Sequence, residues 1–407
     1  MITYCELLNC LNRDGIDNHL LLANGFNSSL GVYTGYENIF DKMKEKYNGY
    51  EELNFNNNYD IEHIIGELKK QIPEDSIHKN FLNSFINNKV KADFMKSAYE
   101  IAKEGVKEIY NDKNHGVGIL FKNFTNFFTL NYDPFLYLLL MKYKKTDSDT
   151  LISFQNTLDF KESDANNINN DEYQEIKNIY YTYTKELVDE EGEKIIDVPF
   201  SKLNKTDFEK QLRDILKSRN KKLKNQHLDL LYDELEENEI ALNINDGFVG
   251  ELFNIKPEID PYIQNVFFLH GSFHLYRKGK AIYKITKTQD KALYDRLDEI
   301  LGEDNKEIIT VFTNDNKVSE IENNNYLVKC IDKLKTLSGS LVIIGSSLDE
   351  NDNHIFNAIK RSPIKNLFYA SNDKEKTEHY NRLSELFPNK KITLYDRDTV
   401  TYEKSVV

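Results

Sequence analysis

Two short segments carry side chains suited to acid–base chemistry. Residues 129–133 read Thr-Leu-Asn-Tyr-Asp, so Asn131 can hold a water or a sugar hydroxyl, and Asp133 can accept hydrogen bonds from hydroxyls. An Asx turn before Pro134 would explain the same residues without any chemistry. Residues 268–271 read Phe-Leu-His-Gly, and the neutral imidazole of His270 suits general-base catalysis near pH 7, although a single histidine is more often structural.

Two further segments combine small and polar residues in the manner of phosphate-binding turns. In the first, small residues would let backbone N–H groups approach a pyrophosphate, but an ordinary strand-to-helix turn is the simpler interpretation. Its members are Asn24, Gly25, Phe26, Asn27 and Ser28. The second suits contacts with phosphate and ribose, or alternatively the N-cap of a helix. Its members are Gly345, Ser346, Ser347 and Asp349.

Each of these segments follows an apolar run that predicts a buried strand. Six such runs occur, at 19–23, 127–131, 265–269, 340–344, 367–370 and 391–395. Most lack alternation, which is typical of parallel strands covered by helices. We therefore predict an α/β fold with one doubly wound, mostly parallel Rossmann-like sheet, whose ligand-binding residues lie at the carboxyl ends of the strands.

Helices and one hairpin fill the intervals between the predicted strands. Helical spacing predicts helices over 94–109, 353–361 and 373–387, with Asp373 as the N-cap of the last. Residues 273–285 predict a β-hairpin that turns at Gly279. The chain is expected to form one discontinuous domain. Its core would comprise residues 15–35, 112–145 and 258–400, with polar helical insertions at 36–111 and 146–257.

Composition excludes several classes of function. The chain has 407 residues, with 53 Lys and Arg against 67 Asp and Glu, a formal charge of −14 that disfavours direct binding to nucleic acid or to an anionic membrane. No run of 18 apolar residues predicts a membrane span, and the first residues do not resemble a signal peptide. Three cysteines without a CxxC pair predict neither a disulfide framework nor a four-cysteine zinc site. A cytoplasmic protein is expected.

The order of the four polar segments resembles the sirtuin-like NAD-binding domain family. Together with residues 246–248, Asp-Gly-Phe, and the hairpin, it is similar to a bacterial antiphage-defence branch without the zinc ribbon. The resemblance implies that the first segment contacts the pyrophosphate, that Asn131 and Asp133 flank the nicotinamide ribose, and that His270 is the catalytic base. It implies phosphate or ribose contacts for Gly345, Ser346, Ser347 and Asp349. The family's usual Gly-Ala-Gly is replaced by Ala23-Asn24-Gly25.

The expected activity is cleavage of NAD to nicotinamide and ADP-ribose, with NAD as substrate and no metal. Because an unregulated NAD hydrolase would poison its own cell, we expect a silent enzyme that an activating protein partner or homo-oligomerisation switches on, as an effector of abortive-infection antiviral defence. Two alternatives remain open. One is a non-catalytic module that senses NAD or ADP-ribose, and the other is an NAD-dependent deacylase or ADP-ribosyltransferase.

Overall fold

The computed structural model describes residues 1–11, 16–52, 59, 61–111, 117–143, 171–186, 205–239, 242–249, 251–253, 264–285, 296, 299–300, 306–311 and 317–401. The chain divides into two compact units. The first comprises Met1–Lys142, Asn156–Asp159 and Ile244–Val407, and the second comprises Tyr143–Gln155 and Phe160–Asn243. Much of the predicted insertion at 146–257 lies outside the described residues. The boundaries of a single discontinuous domain stay a prediction.

Eleven strands lie in the described part of the first unit. They are β1 (Asn18–Leu22), β2 (Asn126–Thr129), β3 (Phe248–Val249), β4 (Leu252–Phe253), β5 (Val266–Phe268), β6 (Gly271–Lys278), β7 (Ala281–Lys284), β8 (Lys306–Thr310), β9 (Gly339–Ile344), β10 (Ile364–Ser371) and β11 (Lys391–Asp396). Six of them form one sheet in the order β11-β10-β9-β1-β2-β5, with every neighbouring pair parallel. The predicted α/β class and the six predicted strands are confirmed.

The register of this sheet explains how distant segments meet. Leu22 of β1 pairs with Thr129 of β2 on one side and with Ile344 of β9 on the other, and Thr129 pairs in turn with Phe268 of β5. These four residues therefore form one row across the sheet. The residues that follow each of them emerge at the same edge, because parallel strands all end on one side.

A second sheet is antiparallel, with the order β3-β4-β7-β6-β8. Sequence reasoning predicted only its central hairpin, which is confirmed: β6 and β7 are joined at Gly279, whose φ of +61° lies in the left-handed region that glycine adopts without steric cost. Strands β3, β4 and β8 were not predicted as strands. β3 and β4 have only two residues each, too short to show a periodic pattern.

The helices of the described residues complete the two units. They are α1 (Tyr4–Leu11), α2 (Asn24–Ser29), α3 (Tyr36–Lys46), α4 (Ile61–Lys70), α5 (Lys79–Asn111), α6 (Val117–Phe121), α7 (Phe135–Lys142), α8 (Asp171–Glu186), α9 (Lys205–Ser218), α10 (Asn225–Glu239), α11 (Lys317–Glu322), α12 (Asn325–Thr336), α13 (Asn353–Arg361) and α14 (Lys376–Leu386). None of them is both long and apolar enough to cross a membrane.

One predicted cap is wrong. Asp373 does not cap α14, since that helix begins at Lys376. The carbonyl oxygen of the Asn372 side chain instead accepts hydrogen bonds from the backbone N–H groups of Lys374 and Glu375, and the Asp373 carboxylate pairs with Lys376. Asn and Asp accept hydrogen bonds from the N–H groups at a helix start about equally well, so the sequence alone could not choose between Asn372 and Asp373.

The described residues of the segment 36–111 are mainly helical, as predicted, and pack on the second sheet. Its α3, α4 and α5 share an apolar core with β6 that includes Ile39, Phe40, Phe94, Ala98 and Phe273. Phe94 and Phe273 meet edge to face, with ring centroids 6.1 Å apart. In the second unit, a separate core is formed among α8, α9 and α10, around Ile176, Phe208 and Leu231.

Candidate functional site

A cavity of about 430 Å³ opens at the carboxyl ends of β1, β2, β5 and β9. Eight of the twelve predicted site residues line it: Asn24, Asn131, Asp133, His270, Gly345, Ser346, Ser347 and Asp349. Gly25, Phe26, Asn27 and Ser28 are not in its wall. A larger groove of about 870 Å³ lies between α3 and α5, but no predicted site residue lines it. Because the smaller cavity joins the ends of four strands, it is the candidate site.

The turn between β1 and α2 is held against the end of β9. The N–H of Gly25 donates to the carbonyl of Gly345 at 3.0 Å, and the N–H of Phe26 donates to the carbonyl of Ala23 at 2.9 Å. Two N–H groups of the predicted pyrophosphate cradle therefore already have protein acceptors. The Phe26 side chain is fully buried beside Phe121, which gives it a core position rather than one in the cavity. The Ser28 hydroxyl donates to the carbonyl of Asn24.

A buried network of amides and hydroxyls connects this turn to the end of β2. The Nδ2 of Asn27 lies 2.8 Å from the hydroxyl of Thr34 and 3.1 Å from Oδ2 of Asp133, while its Oδ1 accepts from Nδ2 of Asn131 at 3.2 Å. Thr34 in turn donates to Oδ1 of Asn24 at 2.9 Å. Asn27 is only 1% exposed. It thus holds Asn131 and Asp133 in place from behind the cavity wall.

The carboxylate of Asp133 lines the cavity from a buried position. Burial raises its pKa to about 6, against the opposing effect of hydrogen bonds from the backbone N–H of Phe135 and from Asn27. The group is therefore mostly ionised at pH 7. A negative charge so placed can stabilise positive charge that develops in a bound ligand.

The imidazole of His270 is buried at the end of β5, with 3% exposure. Its Nδ1 lies 3.2 Å from the carbonyl oxygen of Leu130, which can only accept, so Nδ1 carries the proton and Nε2 has the lone pair in the neutral ring. Burial, and then the nearby charge of Lys317, lower the pKa of His270 to about 3. The ring is neutral at pH 7.

His354 and Asp352 lie beside His270, although neither was among the predicted site residues. The Nε2 of His354 lies 3.1 Å from Nε2 of His270, and Oδ1 of Asp352 lies 3.6 Å from the same atom. His354 is the second residue of α13, which follows the Gly345 loop after a single 3-10 turn. The signal was present as an Asp-Asn-His run directly after that loop, but the sequence offered no reason to pair His354 with a residue 84 positions earlier.

The loop from Gly345 to Asp349 is shaped by its own hydrogen bonds. The hydroxyl of Ser346 accepts from the N–H of Leu348, and the carboxylate of Asp349 accepts from the N–H of Asn351 as an N-cap. The carbonyl of Ser346 also accepts a 2.6 Å hydrogen bond from the hydroxyl of Tyr369. Leu348 is in the left-handed region, with φ of +58°, which costs a non-glycine residue about 1–2 kcal/mol. Such strain is often found where a loop is shaped for a ligand.

The opposite wall of the cavity is apolar and aromatic. It is formed by Tyr36, Ile39, Phe94, Ala98, Tyr132 and Phe273. The rings of Tyr132 and Phe273 are stacked at 6.2 Å, and the ring of Tyr36 lies 5.9 Å from that of Phe94. Four of these residues belong to α3 and α5, so the helical segment 36–111 completes the site. The sequence predicted a helical insertion here but gave it no part in the site.

Among the described residues that line this cavity, the cationic side chain is that of Lys317, the first residue of α11. Its neighbours in the lining include Asp349 and Asp352. Burial raises the pKa of Asp352, and the charge of Lys317 opposes this effect. Across the described residues, no group of three or more His, Cys, Asp or Glu side chains is arranged to hold a metal ion.

A second polar cluster lies under the antiparallel sheet, outside the cavity. Ser272 and His274 share a face of β6, and the hydroxyl of Ser272 lies 2.8 Å from Nδ1 of His274. The His274 ring stacks on Tyr137 with centroids 4.6 Å apart, and its Nε2 is buried without a hydrogen-bond partner among the described residues. Lys284 pairs with Asp246 nearby, at 2.6 Å. His274 therefore has a structural position rather than a catalytic one.

Comparison with known proteins adds a partial family match. Residues 244–392, which carry β5, His270, the Gly345 loop and His354, match the family model of a domain of unknown function, DUF4917. A search of curated proteins finds no match to this chain. The chain is thus similar, over this stretch, to a family that has been given no activity.

Proposed function

We propose that this protein is an NAD glycohydrolase with a sirtuin-like site. The observation that carries the proposal is the cavity itself, in which Asn131, Asp133 and His270 meet Gly345 at one edge of a parallel sheet. The proposal also rests on the resemblance of the four polar segments, which predicted this meeting from residues more than 300 positions apart.

The chemistry requires little beyond charge stabilisation and a positioned water. Nicotinamide in NAD carries a positive charge, so the bond from C1′ to its ring nitrogen breaks with the electron pair leaving on nicotinamide, which becomes neutral. The ribose then carries positive charge, which the ionised carboxylate of Asp133 would stabilise. Asn131, held by Asn27, would orient a water for attack at C1′. Nε2 of His270 would accept the proton that this water or a ribose hydroxyl gives up.

The aromatic wall suits the leaving group. The rings of Tyr36, Phe94 and Phe273 form an apolar surface opposite the polar edge. The neutral nicotinamide that leaves would pack against this surface more favourably than the charged nicotinamide of NAD. This placement would let the two ends of the substrate be distinguished by polarity alone.

Lys317 would supply the local positive charge that a dinucleotide needs on a chain of charge −14. Since the N–H groups of Gly25 and Phe26 are already paired with protein carbonyls, the lysine is the better candidate for contact with the pyrophosphate. Contact with phosphate would also offset the positive charge that lowers the pKa of His270, so substrate binding would strengthen the base. The loop from Gly345 to Asp349 would bind the adenosine ribose or the second phosphate.

The proposed biological role is that of an effector in abortive-infection antiviral defence. An NAD hydrolase that is active at all times would deplete its own cell, so the protein is proposed to stay silent until a protein partner or self-association activates it. NAD would be consumed as the substrate, without a metal.

An assay of NAD consumption tests the activity. The purified full chain, alone and with the proteins encoded beside it, should release nicotinamide and ADP-ribose in at least one condition. Asn131→Ala and His270→Ala should abolish release, whereas Ser29→Ala, on the exposed side of α2, should not change it. Full activity in both site variants would contradict the assignment. Calorimetric binding of NAD with no product in any condition would instead support the non-catalytic sensor.

A further inference from the structure

The lone pair of His270 has a protein partner. Nδ1 of His270 faces the Leu130 carbonyl, so the neutral ring has one lone pair, on Nε2, and Nε2 of His354 lies 3.1 Å from it. Two bare nitrogen lone pairs at this distance would repel each other. A proton must therefore lie between the two atoms, and His354 is the ring that can supply it, as an Nε2–H donor.

The charged neighbours of this contact leave that arrangement in place. An ionised Asp352 can only accept hydrogen bonds, so its Oδ1, 3.6 Å away, does not compete for the lone pair. Lys317 and burial disfavour a positive charge on either ring, and burial lowers the pKa of His354 to about 4. Asp349, another carboxylate of the cavity wall, accepts a hydrogen bond from the backbone N–H of Asn351. Both rings are thus neutral at pH 7.

We propose that His354 is a cap on the catalytic base, an inhibitory contact that must open before His270 can accept a proton. This inference rests on the proposed function, since it assigns His270 the role of base. An imidazole nitrogen has a single in-plane lone pair, so a substrate hydroxyl or an attacking water competes directly with the His354 N–H. His354 is half-buried at the start of α13, whereas His270 is fully buried, so His354 is the ring with room to turn away.

The cap lowers the activity of the resting chain without abolishing it. A neutral hydrogen bond contributes about 1 kcal/mol net. Its removal therefore corresponds to roughly a fivefold gain in the fraction of free base. A partner that draws α13 or the loop before it away from β5 would have the same effect as removing the side chain.

Three variants of His354 separate the hydrogen bond from the space that the ring fills. His354→Ala removes both and should release nicotinamide about fivefold faster than the wild-type full chain assayed alone. His354→Phe keeps the volume without the N–H, and its gain should be smaller. His354→Gln keeps an N–H donor and should stay close to the wild type. A loss of activity in His354→Ala would show that His354 assists the reaction and would overturn the inference.

A chemical readout independent of NAD distinguishes this inference from the proposed function. Diethyl pyrocarbonate acylates an imidazole nitrogen through its free lone pair, and mass spectrometry locates the product. Acylation of His270 should be several-fold faster in His354→Ala than in the wild type, with the exposed His78 as an internal control of equal rate in both. Equal rates at His270 would overturn the cap. Faster acylation without nicotinamide release in any variant would leave the cap standing and would contradict the hydrolase.

Discussion

Gly25 and Gly345 bring two strand ends into direct backbone contact. The N–H of Gly25 donates to the carbonyl of Gly345, and a Cβ on Gly345 would lie 2.2 Å from the backbone nitrogen of Phe26. Gly345 also has φ of +78°. The contact therefore needs a glycine on the β9 side for two independent reasons, conformation and space.

Gly345→Ala should consequently be more destabilising than its conformation alone implies. Gly279 has a similar φ of +61°, and no atom lies within 4 Å of the place where a Cβ would stand. Gly279→Ala is thus a matched control, because its loss in free energy of unfolding, about 1 kcal/mol, comes only from placing an alanine at a positive φ. We expect Gly345→Ala to lower the free energy of unfolding by about 2 kcal/mol more than Gly279→Ala does, because backbone atoms of Gly25 and Phe26 must shift. Urea unfolding of the two variants measures the difference. Equal losses would show that the strand ends are free to separate.

Asp133 should make stability depend on pH. Its pKa is about 6 in the folded protein and 3.8 in an unfolded chain, so the folded state holds the proton more tightly and stability falls as pH rises between these values. Between these pH values the free energy of unfolding of the wild type should fall by about 3 kcal/mol relative to that of Asp133→Asn. This figure follows because each pKa unit corresponds to roughly 1.36 kcal/mol. Chemical unfolding of both proteins at about pH 4, 5 and 7 tests it. A constant difference would mean that the carboxyl is not held in a buried site.

Replacement of Lys317 should affect substrate binding more than turnover. Lys317→Gln is expected to raise KM for NAD by about tenfold, since a hydrogen bond to a charged group contributes about 1.5–3 kcal/mol. Lys317→Arg should stay close to the wild type because the charge is kept. Lys360→Gln, on the exposed side of α13, is the control for a change of net charge. An unchanged KM in Lys317→Gln would remove the lysine from the pyrophosphate site.

The aromatic wall can be tested at Tyr36, which is 37% exposed and lines the cavity. Tyr36→Ala should raise KM about twofold to tenfold, in line with about 0.5–1.5 kcal/mol for an aromatic contact. Tyr36→Phe should behave like the wild type. Tyr33→Ala, an exposed aromatic outside the cavity wall, serves as the control. If both alanine variants bind NAD equally well, the nicotinamide ring packs elsewhere.

Local patterns predicted the parallel sheet and most of the polar edge of the site. The runs that became β1, β2, β5 and β9 are buried and each contains consecutive apolar residues, so the strands could be predicted and their ends placed to within two residues. Parallel topology then brought Asn131, Asp133 and His270 together without further information. The glycine at 279, between two strand-like runs, likewise predicted the hairpin of β6 and β7.

The missing parts of the site depend on tertiary packing. Asn27 looked like a ligand contact because its type and place suited one, but its side chain turns inward to Asp133 and Asn131. Phe94 followed the helical spacing of ordinary core residues, and Tyr36 stood at the start of a polar helical segment, so nothing marked either residue as part of a cavity wall. The Asp-Asn-His run marked the position of His354 but not its partner, because the contact with His270 is created only by the folded sheet.

The position of β1 in the sheet has a consequence during synthesis of the protein. β1 ends at residue 22, yet one of its two neighbours is β9, which ends at residue 344. The ribosome must therefore add more than 300 residues after β1 before the strand at the centre of the site is paired on both sides. Pairing over such a sequence distance is slow to form. A chain that ends before β9 lacks the Gly345 loop and has no assembled cavity, so the proposed toxic activity would arise only after β9 has been made.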